Sequence, residues 1–367
     1  MGLLSTSSAR LEQHLWFRCI APIIVLGLLT YATWSFCHQL CYNAIYRKFG
    51  QRSVAIGLMV GEIILVLFLI FIWFQMVLIG PGRQPKLLPY KIMPEDESDT
   101  DGEAKEGSQG TRQSTNPPRI YQCDPQGYPI WCTSCQSIKA NRTHHSSTLG
   151  YCIPRFDHYC FWIGTVVGRK NYRLFVQFAF YFWAFAIFVI VSTASFLPRI
   201  IRSRPHIPRV NPNILITLGL CGMATLMVGP LFLAHTYYMM VNRTSLEIIA
   251  TKRRSRATNT WLCCYNPVDG LRYVFEFKAL EVQDFWNKRN ILTNLKEFLG
   301  NNYLMWFVPF GTNIKYSHPK SSDVADVLGP YQELCGKRLY DELQHRIETG
   351  NYVAAFKAFG DINMGEN

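Results

Sequence analysis

Between Trp131 and Phe161 the sequence places four cysteines and three histidines. The first pair, Cys132-x-x-Cys135, has the spacing of a tight turn that presents two thiolates to one metal ion. His145 and Cys152 follow close enough to complete the set. Three thiolates and one imidazole make a zinc site. Zinc would hold together a loop too small and polar to build its own core, and such sites contribute on the order of 10–16 kcal/mol in zinc peptides. Directly downstream stands Asp157-His158-Tyr159-Cys160. A free thiol has a pKa of about 8.5 and is only a few per cent thiolate at neutral pH. An adjacent imidazole oriented by a carboxylate raises the useful thiolate fraction, so these are the residue types of a Cys–His–Asp nucleophile. Four contiguous residues are expected to converge only in an irregular, metal-braced loop. Taken alone, the tetrapeptide fits a further set of metal ligands equally well.

The elements that must position these residues follow from the distribution of charge. The chain has 367 residues and a formal charge of +12, yet only 17% of its residues are charged and 49% are hydrophobic. Soluble domains carry about 25% charged residues. The apolar residues gather into four runs that each suffice to cross a bilayer, which takes about 20 residues. The expected spans are 16–38, 54–79, 174–197 and 214–241. They leave an N-terminal segment (1–15), a long loop (80–173) and a tail (242–367). Within the loop, 80–120 reads as linker, and 93–118 is acidic, Gly/Ser-rich and too poor in apolar residues to fold. Residues 121–173 form a cysteine-rich domain. Lys and Arg within about 15 residues of the span ends favour cytosolic termini and a cytosolic long loop. Membrane lipid is therefore a partner. Nucleic acid is not, since no basic stripe lies on a recognisable binding module.

Eight of the twelve cysteines, Cys123 to Cys160 and Cys263, Cys264 and Cys335, fall in segments read as cytosolic. There thiols stay reduced, and metal binding or catalysis is the expected use. Cys19, Cys37, Cys41 and Cys221 lie in or beside spans and read as small apolar residues. The sequons at Asn141 and Asn242 are expected to carry no sugar. Cys263-Cys264, after a basic run, reads as a possible acylated anchor. Phe275–Leu299 mixes aromatics and charges like a helix lying along the membrane or packing on the loop that carries Cys160. Glu62 and His235 stand out as polar residues inside spans; Glu62 reads either as a functional-site candidate or as a hydrated residue near the luminal end, and His235 is expected bonded to a neighbouring helix.

The segment from Cys132 to Phe175 resembles, without gaps, the cysteine-rich domain of the DHHC-type protein S-acyltransferases. It is most similar to fungal members with Asp-His-Tyr-Cys in place of Asp-His-His-Cys. Lys139, Arg142, His145, Trp162, Gly168, Asn171 and Phe175 are kept. Gly80-Pro81-Gly82 stands where the family has Asp-Pro-Gly. Thr244-Ser245-Leu246-Glu247 follows the fourth span, close to the family's Thr-Thr-x-Glu. The stretch Asn294–Gly300 resembles a C-terminal motif. The resemblance covers roughly residues 15–300. It implies an all-α polytopic membrane protein, with four transmembrane helices and a small zinc-braced loop domain between helices two and three. Family members hold two zincs. The first set maps to Cys132, Cys135, His145 and Cys152. The second maps to Ser146, Leu149, Tyr159 and Val166, none of which suits zinc. Losing four of eight ligands at random would empty one whole set about once in thirty-five trials, by counting of the kind applied to cysteines. One structural Zn2+ is therefore expected.

The resemblance further implies a protein-cysteine S-palmitoyltransferase. Cys160 is the nucleophile, His158 the base and Asp157 its orienter. Palmitoyl-CoA or another long-chain acyl-CoA is the co-substrate, and proteins with accessible cysteines, cytosolic or membrane-associated, are the acceptors. Arg142, Arg155, Arg169, Lys170, Trp162 and Phe185 are candidate acyl-CoA contacts, with Phe185 near the end of the acyl cavity. Asn171, Thr244, Ser245, Glu247 and Asn294 are motif residues. The setting expected is a eukaryotic endomembrane or the plasma membrane. Two other functions compete: a catalytically inactive zinc-binding membrane adaptor, and a channel or transporter, which the scarcity of intramembrane polar residues disfavours.

Overall fold

The structure, a computed structural model, describes residues 3–90, 116–202, 210–254, 259–278, 281–317, 319 and 323–357. Of the acidic stretch 93–118, all but 116–118 lies outside the described residues. In chain order, α1 (Leu3–Trp34) runs into a π-helical stretch (Ser35–Lys48), followed by α2 (Arg52–Ile79). Seven short strands come next: β1 (Ile120–Cys123), β2 (Trp131–Cys132), β3 (Ser137–Ile138), β4 (His144–Ser146), β5 (Tyr151–Ile153), β6 (His158–Cys160) and β7 (Thr165–Val167). Then α3 (Tyr172–Arg202), α4 (Pro212–Met240) and α5 (Ser245–Arg254) precede the longer strands β8 (Thr260–Asn266) and β9 (Leu271–Phe277). The chain closes with α6 (Ile291–Leu299), α7 (Leu304–Phe307), α8 (Val324–Leu328), α9 (Lys337–Glu348) and β10 (Ala354–Lys357).

Two compact units result. The first comprises Met1–Pro81, Asp157–Met240 and Leu295–Asn313. Four of its helices are long and apolar enough to cross a membrane: Cys19–Lys48, Arg52–Ile79, Tyr172–Arg202 and Pro212–Met240. At about 1.5 Å per residue each exceeds the ~30 Å hydrocarbon layer, and the chain is an integral membrane protein. Phe36, Leu40, Ile45, Leu69, Phe185 and Val189 pack between the helices. Ile63, Leu67, Phe74 and Leu226 face outward, which suits a lipid solvent and not an aqueous one. In the π-helical stretch, residues four apart fall into line. Trp34, His38, Tyr42 and Tyr46 stack at successive centroid distances of 5.9, 6.0 and 5.8 Å. Glu62 is fully buried and accepts a hydrogen bond from the Cys37 thiol at 3.5 Å, so the expectation of a hydrated position does not hold.

The second unit comprises Gly82–Phe156, Val241–Asn294 and Ile314–Asn367. Its centre is an antiparallel sheet in the order β1-β8-β9-β10. The β8–β9 hairpin forms because Asn266-Pro-Val-Asp-Gly270 is a turn. Asn266 and Asp269 side chains accept from the backbone N–H groups of Val268 and Leu271, and Gly270 takes φ 71°. Alternate residues then serve two cores. Tyr121, Cys123, Cys263 and Val274 pack with Val324 and Leu328 on one face. Leu262, Cys264, Tyr273, Phe275 and Phe277 pack with α9 residues Leu339 and Leu343 on the other.

This sheet corrects three expectations. The protein is not all-α, since its loop and tail segments fold as strands. Phe275–Leu299 is not one membrane-surface helix: its start belongs to β9, and only Ile291–Leu299 is an α-helix. The buried aromatics Tyr273, Phe275 and Phe277 recur every second residue, which is strand period. Cys263 and Cys264 are buried on opposite faces of β8, where burial also pushes both thiols up, Cys264 to about 11. They are not placed to be acylated. Two outcomes check this fold. Phe275→Ala should cost about 3–5 kcal/mol, the usual range for a buried ring, read as a lowered melting midpoint in detergent. Cys263 and Cys264 should resist maleimide until the protein is denatured.

Candidate active site and metal centre

The residues singled out by chemistry fall into three clusters. In the second unit, β2 and β3 form a hairpin carrying Cys132 and Cys135, and β4 pairs with β5 so that His145 lies opposite Cys152. His145 Nδ1 lies 3.5, 3.3 and 4.0 Å from the sulfurs of Cys132, Cys135 and Cys152. All four ligand atoms lie within 4.8 Å of one another. Zn–S bonds of about 2.3 Å and Zn–N bonds of about 2.0 Å in a tetrahedron need edges of roughly 3.5–3.8 Å, so the group fits. Burial opposes ionisation of Cys132, yet hydrogen bonds from the Cys135 backbone and from neighbouring thiols hold it below the ordinary thiol value. Burial pushes Cys152 up. A dication is what lets three adjacent thiols ionise together.

Also in the second unit, two buried arginines share the buried carboxylate of Glu333, and one of them also pairs with the half-buried Glu247. Arg142 meets Glu247 in a bidentate pair, Nε–Oε1 2.7 Å and Nη2–Oε2 2.8 Å. Its Nη1 donates to Asn242 Oδ1 at 2.9 Å and to Glu333 Oε2 at 3.4 Å. Arg155 Nε and Nη2 donate to the two oxygens of Glu333 at 2.8 and 2.5 Å. Arg142, Arg155 and Asn242 all adopt positive φ, at 60°, 45° and 51°. Such backbones are costly for non-glycine residues and persist where surroundings over-determine them. Glu247 also closes a capping box, in which Thr244 N–H donates to its carboxylate and Glu247 N–H donates to Thr244 Oγ1. Ser245 opens α5. Asn242 is buried with its amide donating to Trp286 O, and Asn141 bonds the backbone of Gln122 and Ile120, so both sequon amides are used internally. Asn294 accepts from Lys288 N–H and donates to Asn287. Arg142 and Arg155 were candidates for CoA phosphates. Their guanidinium groups are instead buried and already neutralised by carboxylates, which corrects that assignment.

The third cluster lies in the first unit. The tetrapeptide is not an irregular loop. His158, Tyr159 and Cys160 are strand β6, paired with β7 so that Tyr159 faces Val166. Strand period sets His158 and Cys160 on one face and Tyr159 on the other. The hairpin turns tightly, with Gly164 at φ 77° donating its N–H to Cys160 O at 2.9 Å. Asn171 fixes β7 from the helix side, accepting from Gly168 N–H and donating to Val166 O, each at 2.9 Å. Tyr159 and Val166, which stand at positions of the family's second metal set, are thus cross-strand neighbours, and Ser146 Oγ accepts from Leu149 N–H.

Asp157 has a fully buried side chain, and its Oδ2 lies 2.7 Å from His158 Nδ1. Burial pushes the imidazole down, but hydrogen bonds to Asp157 and Cys160 and the charges of both outweigh it and raise His158 to about 9. One nitrogen of His235, on α4, lies within 4.8 Å of this pair. The 2.7 Å Asp157–His158 separation is that of a hydrogen bond, shorter than two ligands of one zinc ion would keep. Cys160 is buried among Ile72, Met76, Val167 and Phe175. Beside it Phe161 and Trp162 are 43% and 52% exposed. Trp162 stands over a narrow apolar crevice lined by Pro22 and Leu29 of α1, Leu69 and Trp73 of α2, and Phe178 and Phe182 of α3. Phe185 is buried deeper, 6.3 Å from Phe182 between ring centroids. Arg169 sits 3.8 Å from Glu297, and Lys170 is half-buried. Sequence reasoning missed Glu333, Asn242 and Tyr172. For Glu333 no local pattern signals a partner nearly two hundred residues away.

The whole chain has relatives of known name. A model of the DHHC palmitoyltransferase family matches residues 126–252. The chain is 45% identical over 350 residues to palmitoyltransferase PFA5 of Kluyveromyces lactis, covering 95% of this chain and 98% of that one. It is 44% identical to palmitoyltransferase PFA5 of Saccharomyces cerevisiae, covering 96% of each. At greater distance it is 23% identical to palmitoyltransferase ZDHHC15 of Xenopus laevis, over 63% of this chain and 67% of that one.

Removing Glu333 takes the bidentate carboxylate from buried Arg155 and a 3.4 Å contact from Arg142, which keeps its pair with Glu247. Glu333→Ala should destabilise the protein by about 3–5 kcal/mol, the cost of breaking a buried pair from one side, visible as a lower thermal midpoint and raised protease sensitivity after residue 241.

Proposed function

The chain belongs to the DHHC palmitoyltransferase family, and from that premise we propose that Cys160 carries the acyl group, with His158 and Asp157 as its acid–base pair. The protein is a protein S-palmitoyltransferase. The observation that carries the residue assignment is the shared face of β6, which sets an Asp157-bonded imidazole beside the one thiol of the hairpin.

The two steps balance as follows. The Cys160 thiolate attacks the thioester carbonyl of palmitoyl-CoA, its proton having passed to His158. The carbon–sulfur bond to CoA breaks, a new thioester forms on Cys160, and His158 returns the proton to the CoA thiolate. The cysteine thiol of a protein substrate then gives its proton to His158 and attacks the acyl-enzyme, and Cys160 leaves as thiolate. Thioester exchanges for thioester, so proton handling and positioning are the protein's whole contribution. Asp157 keeps the ring's Nδ1 engaged and leaves Nε2 for the sulfur chemistry.

We place the acyl chain along the apolar surface that Trp162 shares with α1, α2 and α3, where each buried methylene contributes about 0.8 kcal/mol; the crevice there measures about 20 Å³, so the helices must part to admit the chain. Phe185 then limits its depth. Arg169 and Lys170 remain as phosphate contacts for CoA. The Cys132, Cys135, His145 and Cys152 set would bind one Zn2+ with four protein ligands and no open position, a structural and not a catalytic arrangement. Juxtamembrane charge supports cytosolic termini and a cytosolic cysteine-rich loop. An inactive zinc-braced adaptor is the second reading, and the intact Asp157–His158 bond favours the enzyme.

Incubation of the purified protein with labelled palmitoyl-CoA should give hydroxylamine-labile label on Cys160, lost in Cys160→Ser. Unlabelled wild-type protein would favour the adaptor. Metal analysis should return one zinc per chain, falling toward none in Cys132→Ser. Because the His158 proton must protonate the leaving CoA thiolate, the acylation rate should fall as pH rises through about 9. Asp157→Asn removes a bond that raises the imidazole, so it should move that limb to lower pH.

A further inference from the structure

Beside the acid–base pair lies a second histidine that the chemistry above does not use. His235 is 3% exposed on α4, within a membrane-crossing helix. A polar ring buried there needs partners. Tyr172 Oη, at the start of α3, lies 2.8 Å from His235 Nδ1. The His235 and His158 rings are 5.7 Å apart between centroids. Phe175 stands edge-on to both, at 5.1 Å from His158 and 4.8 Å from His235. One His235 nitrogen lies within 4.8 Å of ligand atoms of both Asp157 and His158.

We propose that His235 is a positioning residue for the Asp157–His158 pair, held neutral by its buried setting and by its bond to Tyr172 so that the catalytic proton stays on His158. This deepens the acyl-enzyme reading and rests on it. The argument concerns where one proton sits. Two imidazolium rings at this spacing repel strongly in a buried site, so one ring carries the charge. With Tyr172 Oη as donor to His235 Nδ1, that nitrogen could take a proton only if the phenol turned its own hydrogen away and became the acceptor. The neutral ring therefore keeps its own proton on Nε2. His158, bonded to the buried Asp157 carboxylate, is left as the ring that gains and loses a proton. The titratable groups facing this arrangement are Asp157, His158 and Cys160 from the hairpin, Tyr172 from α3, and His235 and Tyr238 from α4, whose rings are 5.3 Å apart. Phe175 keeps the two imidazoles at a fixed tilt, so charge selection and ring placement come from one packed cluster.

The test uses the full chain in detergent, with single-turnover labelling by palmitoyl-CoA followed from pH 6 to 10. Wild type, Cys160→Ser, Tyr172→Phe, His235→Phe and His235→Gln are compared, each checked for zinc content and melting midpoint. Tyr172→Phe frees His235 Nδ1 to protonate. It should lose rate progressively as pH falls from 8 to 6, where wild type does not. His235→Phe removes both nitrogens. It should slow acylation roughly tenfold or more across the range, within what general acid–base groups contribute, without that acid-side loss. His235→Gln keeps a donor amide and should recover much of the rate; it carries the readout if the phenylalanine variant fails to fold. Wild-type rates and pH profiles in Tyr172→Phe and His235→Gln, with label abolished in Cys160→Ser, would overturn the role of His235 and leave the acyl-enzyme standing. Label that survives in Cys160→Ser would overturn the acyl-enzyme itself.

Discussion

A carboxylate with no access to solvent stays charged only beside a cation or several donors. Asp157 meets that demand through His158, and the 2.7 Å bond between them makes the imidazole basic enough to hold a proton next to a thiol. The surrounding parts of the first unit preserve that bond. The β6–β7 hairpin supplies the two-residue period that turns His158 and Cys160 to the same side. Asn171 ties β7 to the start of α3, and Trp73 of α2 donates to Ile163 O in the hairpin turn at 3.2 Å. A nucleophile built on a hydrogen-bonded strand keeps its geometry through many turnovers better than one on an open loop.

The second unit answers a different constraint. Its chain arrives in three separate pieces: the first brings Arg142 and Arg155, the second Glu247 and the third Glu333. Arg142 and Arg155 carry two positive charges, and Glu247 and Glu333 carry two negative ones. The balance is local, and the positive φ values at Arg142, Arg155 and Asn242 show backbone strain concentrated at the same place. Buried ion pairs are weak contributors to stability but strict about partners. Here they select which stretch of tail closes on which stretch of loop, while the Cys132–Cys135–His145–Cys152 cluster fixes the two small hairpins.

The sequence displayed the spans, the thiol and imidazole types, and the motif order, because apolar run length and short spacings are local properties. The Cys132, Cys135, His145 and Cys152 cluster was also legible from its residue types and spacing. Other features were hidden for reasons that differ. The strand at His158–Cys160 is three residues long, below what periodicity can register. The β8–β9 hairpin is buried on both faces, so its alternation shows as a near-continuous apolar run, and Cys263-Cys264 imitates a surface acylation pair. Arg142 and Arg155 look like free cations because their carboxylates come from residues 247 and 333. Tyr172 and His235 are sixty-three positions apart, and only the packing of α3 on α4 joins them.

The sheet β1-β8-β9-β10 draws its strands from residues 120–123, 260–277 and 354–357. Its first strand therefore leaves the ribosome before the third and fourth spans exist, and its last strand follows them by more than a hundred residues. During synthesis β1 must wait, unpaired, while two further segments are threaded into the bilayer. Only when residues 354–357 have emerged can the sheet shut. Membrane insertion is thus finished before the soluble fold can be, and a ribosome that stalls in the tail releases a fully inserted protein with an open sheet edge, a form that chaperones and proteases can distinguish from the finished one.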